Sequence, residues 1–353
     1  MKKAIVFGLG YNYEKYKKLI PSYFDVEIIA ITDNDINKHG IIVDGFTVIA
    51  PEKIRNIEFD IIIITPSACE QIINQLRETD VPLSKIEVIK SQLTWLTDMS
   101  EWIDFKDKNV LEIGCGNGDL LKAISKCYNP KYVTGIDLML SEWWGIDESE
   151  GTNWCVKDGN AEALDFTDNS FDIVYSIATF EHIKDLEKAL KEIERVLKPG
   201  GRFYTSFSPI WTSVVGHHFV EDSESTWNLE HLSLIPPWGH LYMTEKEMEE
   251  HLILQNISKE LSEQILNFVY SISIINRLSR IEIVNYIINS GMIICKLSEN
   301  ISFNRNVYFK TENQESELTA DILEKIKMTK YKASDLGVVG LTVVLEKYKE
   351  FKV

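Results

Sequence analysis

The feature that most limits the folds open to this chain is a set of short, continuous apolar runs separated by stretches of helical period. Ala4–Phe7, Val26–Ile31 and Asp60–Thr65 form one set, and Asn109–Ile113, Tyr132–Asp137 and Phe171–Ser176 form a second. Strands with one wet face alternate polar and apolar residues, whereas uninterrupted runs belong to strands covered on both faces, as in parallel sheets. Between the runs, Tyr13–Ile20, Cys69–Glu78, Asp119–Cys127 and Leu186–Leu197 read as helices. The alternation predicts an α/β fold, and it starts twice. At 353 residues the chain has length for two domains, since one domain takes ~100–200 residues. The expected division is a small βα domain over residues 1–92 and a larger one over 93–353. In the larger domain, 208–245 is irregular and rich in His, Trp and Pro, the pattern of a lid or substrate loop. A helical insertion follows at 245–290, and Gly291–Leu297 and Val338–Leu345 are closing strands.

Charge excludes one class of partner. The formal net charge is −17, and 41 of the 54 acidic residues lie beyond residue 94. Surfaces that grip phosphate backbones are basic, so no nucleic acid is expected as substrate. The five cysteines are odd in number and scattered, which fits neither a disulfide framework nor a zinc site and predicts a reduced, cytoplasmic protein. No stretch approaches the ~18 uninterrupted apolar residues of a membrane span. No metal site is assigned, because Glu221, Asp222, Glu224 and the neighbouring histidines lack a ligand spacing. A homo-oligomer stays open.

The second βα series carries the chemistry. In Val110-Leu111-Glu112-Ile113-Gly114-Cys115-Gly116-Asn117-Gly118 a strand ends and the chain turns sharply into a helix while its backbone approaches a ligand; glycine permits both. At the end of the next strand stands Gly135-Ile136-Asp137, where an acid can accept from two ribose hydroxyls, followed by Leu138 and Met139. Then come Asp158-Gly159-Asn160-Ala161-Glu162-Ala163-Leu164-Asp165-Phe166, Asn169-Ser170-Phe171-Asp172, Ser176-Ile177-Ala178-Thr179-Phe180-Glu181-His182, and Lys198-Pro199-Gly200-Gly201 after a helix. Five features in this order resemble the core of class I, Rossmann-like S-adenosylmethionine-dependent methyltransferases. The resemblance implies a seven-stranded sheet ending in an antiparallel pair, S-adenosylmethionine as cofactor, and a cofactor site made by Glu112, Gly114, Cys115, Gly116, Gly118, Asp137, Leu138, Asn160, Ala161, Ser176 and Ile177. Where family members place an acid for the adenine amino group, this chain has Asn160, whose amide oxygen still accepts; Asp158 is the alternative.

Methyl transfer to oxygen benefits from a base, and imidazole, with a pKa of about 6.5, suits that task. His182, His218 and His240 are the candidate catalytic residues, with His217 and His231 in the same loop. Packing, capping or lid roles for each histidine remain open. Trp211, Trp227 and Trp238 are candidate carbohydrate platforms.

At the N-terminus, Gly8-Leu9-Gly10 lacks a third glycine, and Asp33 ends the second strand. With Ile31-Thr32-Asp33-Asn34-Asp35, Lys38-His39-Gly40 and Asp44-Gly45-Phe46, this segment resembles the small Rossmann-like, nucleotide-sugar-binding domain of sugar acyltransferases. The resemblance implies either nucleotide-sugar binding or a scaffold role. The combined expectation is a methyltransferase acting on a sugar or glycan-related small molecule, by O-methylation in polysaccharide biosynthesis. The alternatives are a methyltransferase of another metabolite with the first domain as scaffold, or a non-catalytic S-adenosylmethionine- or nucleotide-sugar-binding protein.

Overall fold

The structure, a computed structural model, describes residues 1–67, 69–138, 140–219, 234–271, 274–301 and 320–349. The chain divides into two compact units, residues 1–107 with 118–133 and residues 108–117 with 134–353.

The first unit is built on a six-stranded sheet. Its strands are β1 (Lys2–Phe7), β2 (Val26–Thr32), β3 (Ile42–Val43), β4 (Phe46–Ile49), β5 (Ile61–Ile64) and β6 (Ile86–Val88), in the order β3-β4-β2-β1-β5-β6. Apart from the antiparallel pair β3 and β4, neighbouring strands run parallel. The apolar runs follow from this. Side chains alternate between sheet faces, and both faces are covered. Ala4, Val6, Ile31 and Ile63 enter one core with Tyr13, while Ile5, Phe7, Ala30, Ile62 and Ile64 enter the other with Leu76. The hairpin around Asp44 and Gly45 takes positive φ at both turn residues, 48° and 87°, as a two-residue connection of that hand requires. The helix Ser91–Ser100 buries Leu93 in the first core, and the first stretch of this unit runs to Asp107.

The second unit holds an eight-stranded sheet. Its strands are β7 (Asn109–Ile113), β8 (Tyr132–Asp137), β9 (Ser149–Glu150), β10 (Trp154–Asp158), β11 (Phe171–Ile177), β12 (Leu197–Phe207), β13 (Ile293–Asn300) and β14 (Gly340–Glu346), ordered β13-β14-β12-β11-β7-β8-β10-β9. The expectation of seven strands is corrected by β9, two residues that pair antiparallel with β10. No apolar run marks so short an edge strand. The antiparallel end is as expected: β14 lies antiparallel to both β12 and β13. A second difference concerns Lys198–Gly201. The helix Leu186–Val196 stops where expected, but β12 already starts at Leu197 and runs through the Pro-Gly-Gly segment. Its register with β11 shifts there, from Phe171↔Leu197 to Ile173↔Arg202; proline and glycine are tolerated at such a bulge. The core gathers Leu111, Ile113, Val174, Phe203 and Leu341 from the sheet with Leu190, Ile193 and Ile283 from helices.

Among the described residues the expected insertion at 245–290 holds three α-helices, Glu245–Leu254, Lys259–Leu266 and Arg280–Ile288, with a π-helical turn at Asn267–Ser271. Two of them start with a full capping box, Thr244 with Glu247 and Ser279 with Glu282. In the loop expected at 208–245, residues 220–233 lie outside the described residues; with them lie His231, Trp227, Glu221, Asp222 and Glu224. All five cysteines are free thiols. Among the described residues no helix is long and apolar enough to cross a membrane.

Candidate functional site

The C-terminal ends of β7, β8, β10 and β11 bring most of the predicted cofactor residues to one edge of the second sheet. β7 ends at Ile113, and the chain turns through Gly114 and Gly116 at φ of 74° and 51°. The turn is pinned to β8: the amides of Gly114 and Cys115 both donate to the Ile136 carbonyl, at 2.8 and 3.0 Å. A side chain at Gly114 would overlap Thr179, so only glycine fits where the loop passes the segment after β11. Gly118, at φ 77°, opens the helix Asp119–Tyr128.

Glu112 is 3% exposed and stands beside Tyr175 on β11, its partner in register; burial and the negative charge of Glu112 push the Tyr175 phenol well up. The Cys115 thiol is pushed up by burial and by the negative charges of Glu112 and Asp137, so it stays an uncharged, inert SH group. Asp137 accepts from the Gly116 amide at 2.8 Å, and further from the Leu138 amide and the Trp144 indole. Burial raises its pKa, while these donors and the neighbouring His182 pull the other way. Leu138 is half exposed beside it, and Met139 lies outside the described residues. Asn160 sits in a tight turn whose own backbone is its first partner: its Oδ1 accepts from the Glu162 amide at 2.8 Å, and its carbonyl from Ala163. Ala161 packs against the core. Asp158 accepts from the Leu140 amide at 2.9 Å. Ser176 is fully buried, with no hydrogen-bond partner for its hydroxyl among the described residues, and Ile177 ends β11.

Sequence reading missed Trp144. Its ring lies where a Cβ on Gly116 would come within 3.2 Å, and its indole reaches Asp137. The only signal was the pair Trp143-Trp144 shortly after the strand that ends in Asp137.

Beyond Ile177 the chain passes Ala178 at φ 49° and delivers Glu181 and His182. Glu181 is 3% exposed; burial pushes its pKa up to about 8 against the pull of its own amide and that of Ser208. His182 is exposed, and its Nδ1 meets the Ile274 carbonyl at 2.9 Å; its crowded surroundings hold the imidazolium down. The segment after β12 is not a solvent-facing lid where it is described. Trp211, Thr212, Ser213, His217 and His218 are buried, as is His240 in the short helix Gly239–Tyr242. Trp211 is packed rather than open: its indole donates to the Tyr331 hydroxyl at 2.8 Å, and the Arg277 guanidinium lies over its ring. His217 faces His240 with ring centroids 5.3 Å apart, and His182 faces His218 at 5.5 Å. Burial lowers the pKa of His218 to about 3 and that of His240 to about 4, and it takes His217 far down as well. All three are neutral at physiological pH.

The buried polar atoms Thr212 Oγ1, Ser213 Oγ, His217 Nε2, Trp238 Nε1 and His240 Nδ1 have no hydrogen-bond partner among the described residues. A buried polar group without a partner costs about 1–3 kcal/mol, so this concentration marks a place where water or a ligand supplies the partners. Glu181, His182 and His218 also come together, a grouping that linear spacing does not signal.

Comparison with known proteins agrees with the geometry of the second unit. Residues 111–205 match the family described as a methyltransferase domain. Residues 1–87 match the family described as C2185-like, N-terminal. A fatty-acid O-methyltransferase of Mycolicibacterium smegmatis is 32% identical over 117 residues, covering 30% of this chain and 39% of the relative. The ubiquinone/menaquinone biosynthesis C-methyltransferase UbiE of Hahella chejuensis is 30% identical over 151 residues, 41% of this chain and 57% of the relative. The chain therefore spans between about two-fifths and three-fifths of these curated relatives. A solved S-adenosylmethionine-dependent methyltransferase from Mesorhizobium loti aligns with 72% of this chain and 97% of its own, at 16% identity and a TM-score of 0.42.

Residues 111–205 thus resemble a methyltransferase domain, and the residues present fit S-adenosylmethionine as cofactor: a glycine turn that no side chain could enter, a carboxylate at the end of β8, and an unpartnered buried hydroxyl on Ser176.

Proposed function

We propose that the chain is an S-adenosylmethionine-dependent O-methyltransferase of a hydroxylated small molecule, a sugar or glycan-related acceptor of polysaccharide biosynthesis. The observation that carries the acceptor class is the set of buried, unpartnered hydroxyl and imidazole atoms of Thr212, Ser213, His217 and His240. An acceptor rich in hydroxyls supplies partners to such atoms, whereas an acyl chain leaves each of them desolvated. The relatives named for fatty acids and quinones align with only 30% and 41% of this chain, so their acceptors do not set this one.

The residue roles follow from the contacts. The turn at Gly114 and Gly116 gives the cofactor close backbone approach, and Asp137 with Leu138 holds its ribose and adenine. Asn160, Ala161, Ser176 and Ile177 complete the wall. Bound S-adenosylmethionine supplies an electrophilic methyl on a positive sulfur. An acceptor hydroxyl placed beside His240 would give up its proton to that imidazole as the oxygen takes the methyl group the cofactor would supply. His240 suits that task because its Nε2–H is held by the Trp211 carbonyl at 2.7 Å, which leaves the Nδ1 lone pair as acceptor. Its low pKa keeps that lone pair free at pH 7.

The first unit fits a scaffold role better than nucleotide-sugar binding. Asp33, the acid that would meet a ribose, is 8% exposed and already accepts from Leu9, Asp35 and Lys38.

The test is transfer of labelled methyl from S-adenosylmethionine to a panel of sugars, nucleotide-sugars, fatty acids and quinols. The expected result is label in a hydroxylated, sugar-like acceptor and a loss in kcat of about 100-fold or more for His240→Ala, with cofactor affinity unchanged. Label only in fatty acids or quinols would overturn the acceptor class.

A further inference from the structure

We propose that Glu181, His182 and His218 form a binding site for a borderline divalent metal ion of the zinc and manganese class. One donor atom from each of the three lies within 4.8 Å of the others. The site stands on its own geometry, and only its use in methyl transfer rests on the function proposed above.

Three observations favour a metal over a chance cluster. First, each imidazole is already tethered through Nδ1 to a backbone carbonyl: His182 to Ile274 at 2.9 Å and His218 to Gly216 at 3.0 Å. An Nδ1–H donated to a carbonyl fixes the tautomer and leaves Nε2 as the lone-pair nitrogen, the arrangement of ligating histidines. Second, Glu181 is 3% exposed and its Oε2 has no hydrogen-bond partner among the described residues. Buried carboxylates are paired or bind metals. Third, the segment that bears Glu181 and His182 is held in place. The Asn276 amide donates to the Glu181 carbonyl at 2.9 Å, and its side chain donates to the carbonyls of Phe180 and Ile183 at 2.7 and 3.0 Å.

The donor set decides the ion. Two imidazoles and one carboxylate suit zinc, manganese or iron, whereas magnesium and calcium prefer oxygen alone. Bonds of about 2.1 Å put donors at most ~4.2 Å apart, so with all three donors within 4.8 Å binding requires at most a small closing movement. Three protein ligands leave coordination positions open, as catalytic sites do. Because His182 lies close enough to Asp137 to act on its charge, an ion held here would meet an acceptor hydroxyl on the cofactor's side and make it more acidic.

The experiment uses the full, tag-free chain, stripped with chelator and dialysed against Zn2+ or Mn2+, with bound metal counted and Co2+ used as an optical probe. The expected result is one ion per chain and a cobalt ligand-field band, with affinity falling at least tenfold in Glu181→Gln and in His218→Ala. His182→Gln, at an exposed position, is the third variant and is expected to weaken binding without loss of fold. S-adenosylhomocysteine binding is measured alongside. Cofactor affinity within about twofold of wild type shows that a variant is folded, and loss of it in the wild type would sink the methyltransferase reading while leaving the metal count valid. No stoichiometric uptake by the wild type, or uptake that the folded variants leave unchanged, overturns the proposal.

Discussion

Gly114 shows how one position can commit a loop to a ligand. Its φ of 74° is a conformation that costs a residue with a Cβ about 1–2 kcal/mol, and a Cβ there would also overlap Thr179. Forcing in even a methyl group adds roughly 1–3 kcal/mol of overpacking. Gly114→Ala is therefore expected to weaken S-adenosylhomocysteine binding at least tenfold in calorimetry, since 1.4 kcal/mol is about one decade. Gly10→Ala is the control: its φ is −100° and nothing stands within 4 Å of a Cβ there, so binding should not change. Equal losses in both variants would mean that Gly114 has no special place. Requirements of this kind are local, and for that reason Gly114, Gly116 and Asp137 are legible in the sequence. Trp144 is not: the Trp143-Trp144 pair draws notice to the spot, but the approach of its ring to Gly116 is set by the fold.

At the level of elements, strands and helices are legible wherever one period dominates. Cys69–Glu78 and Glu245–Leu254 fall where the pattern puts them. The misses share a cause, which is pairing that overrides local signals. Lys198–Gly201 reads as a stop, yet it is carried within β12 as an irregularity between the pairs Phe171↔Leu197 and Ile173↔Arg202. The two residues of β9 exist only because β10 is beside them. The loop after β12 is legible as chemically rich but not as buried, because Trp211 is packed by the distant Arg277 and Tyr331. In the first unit, the junction of β1 and β2 carries its own prediction. Burial alone would raise the pKa of Asp33, but the amides of Asp35 and Leu9 and the Lys38 ammonium outweigh it and hold the carboxyl below its usual value. A depressed folded pKa contributes stability above the unfolded value of about 4 and loses it as pH falls through the folded value. Asp33→Asn is expected to cost about 1–2 kcal/mol at pH 7, and the gap to wild type should close as the pH falls below about 4. Urea unfolding of both proteins at pH 7 and pH 3 reads the difference; a gap that is constant with pH contradicts the assignment.

Over the whole molecule, the proposed function draws on the two units unequally. The second unit has an unentered glycine turn, an acid at the end of β8, and buried polar atoms awaiting partners. In the first unit Asp33, the candidate ligand acid, is spent on closing its own turn. The proposed function therefore stands or falls on the second unit's holding S-adenosylmethionine. Calorimetric titration of the full chain with S-adenosylhomocysteine, paired with thermal unfolding, tests this most directly. One site per chain is predicted, with stabilisation of about 2.7 kcal/mol at a hundredfold excess over Kd, and with both signals much reduced in Asp137→Ala. No heat and no thermal shift at millimolar ligand, with or without candidate acceptors, would contradict that function at its centre.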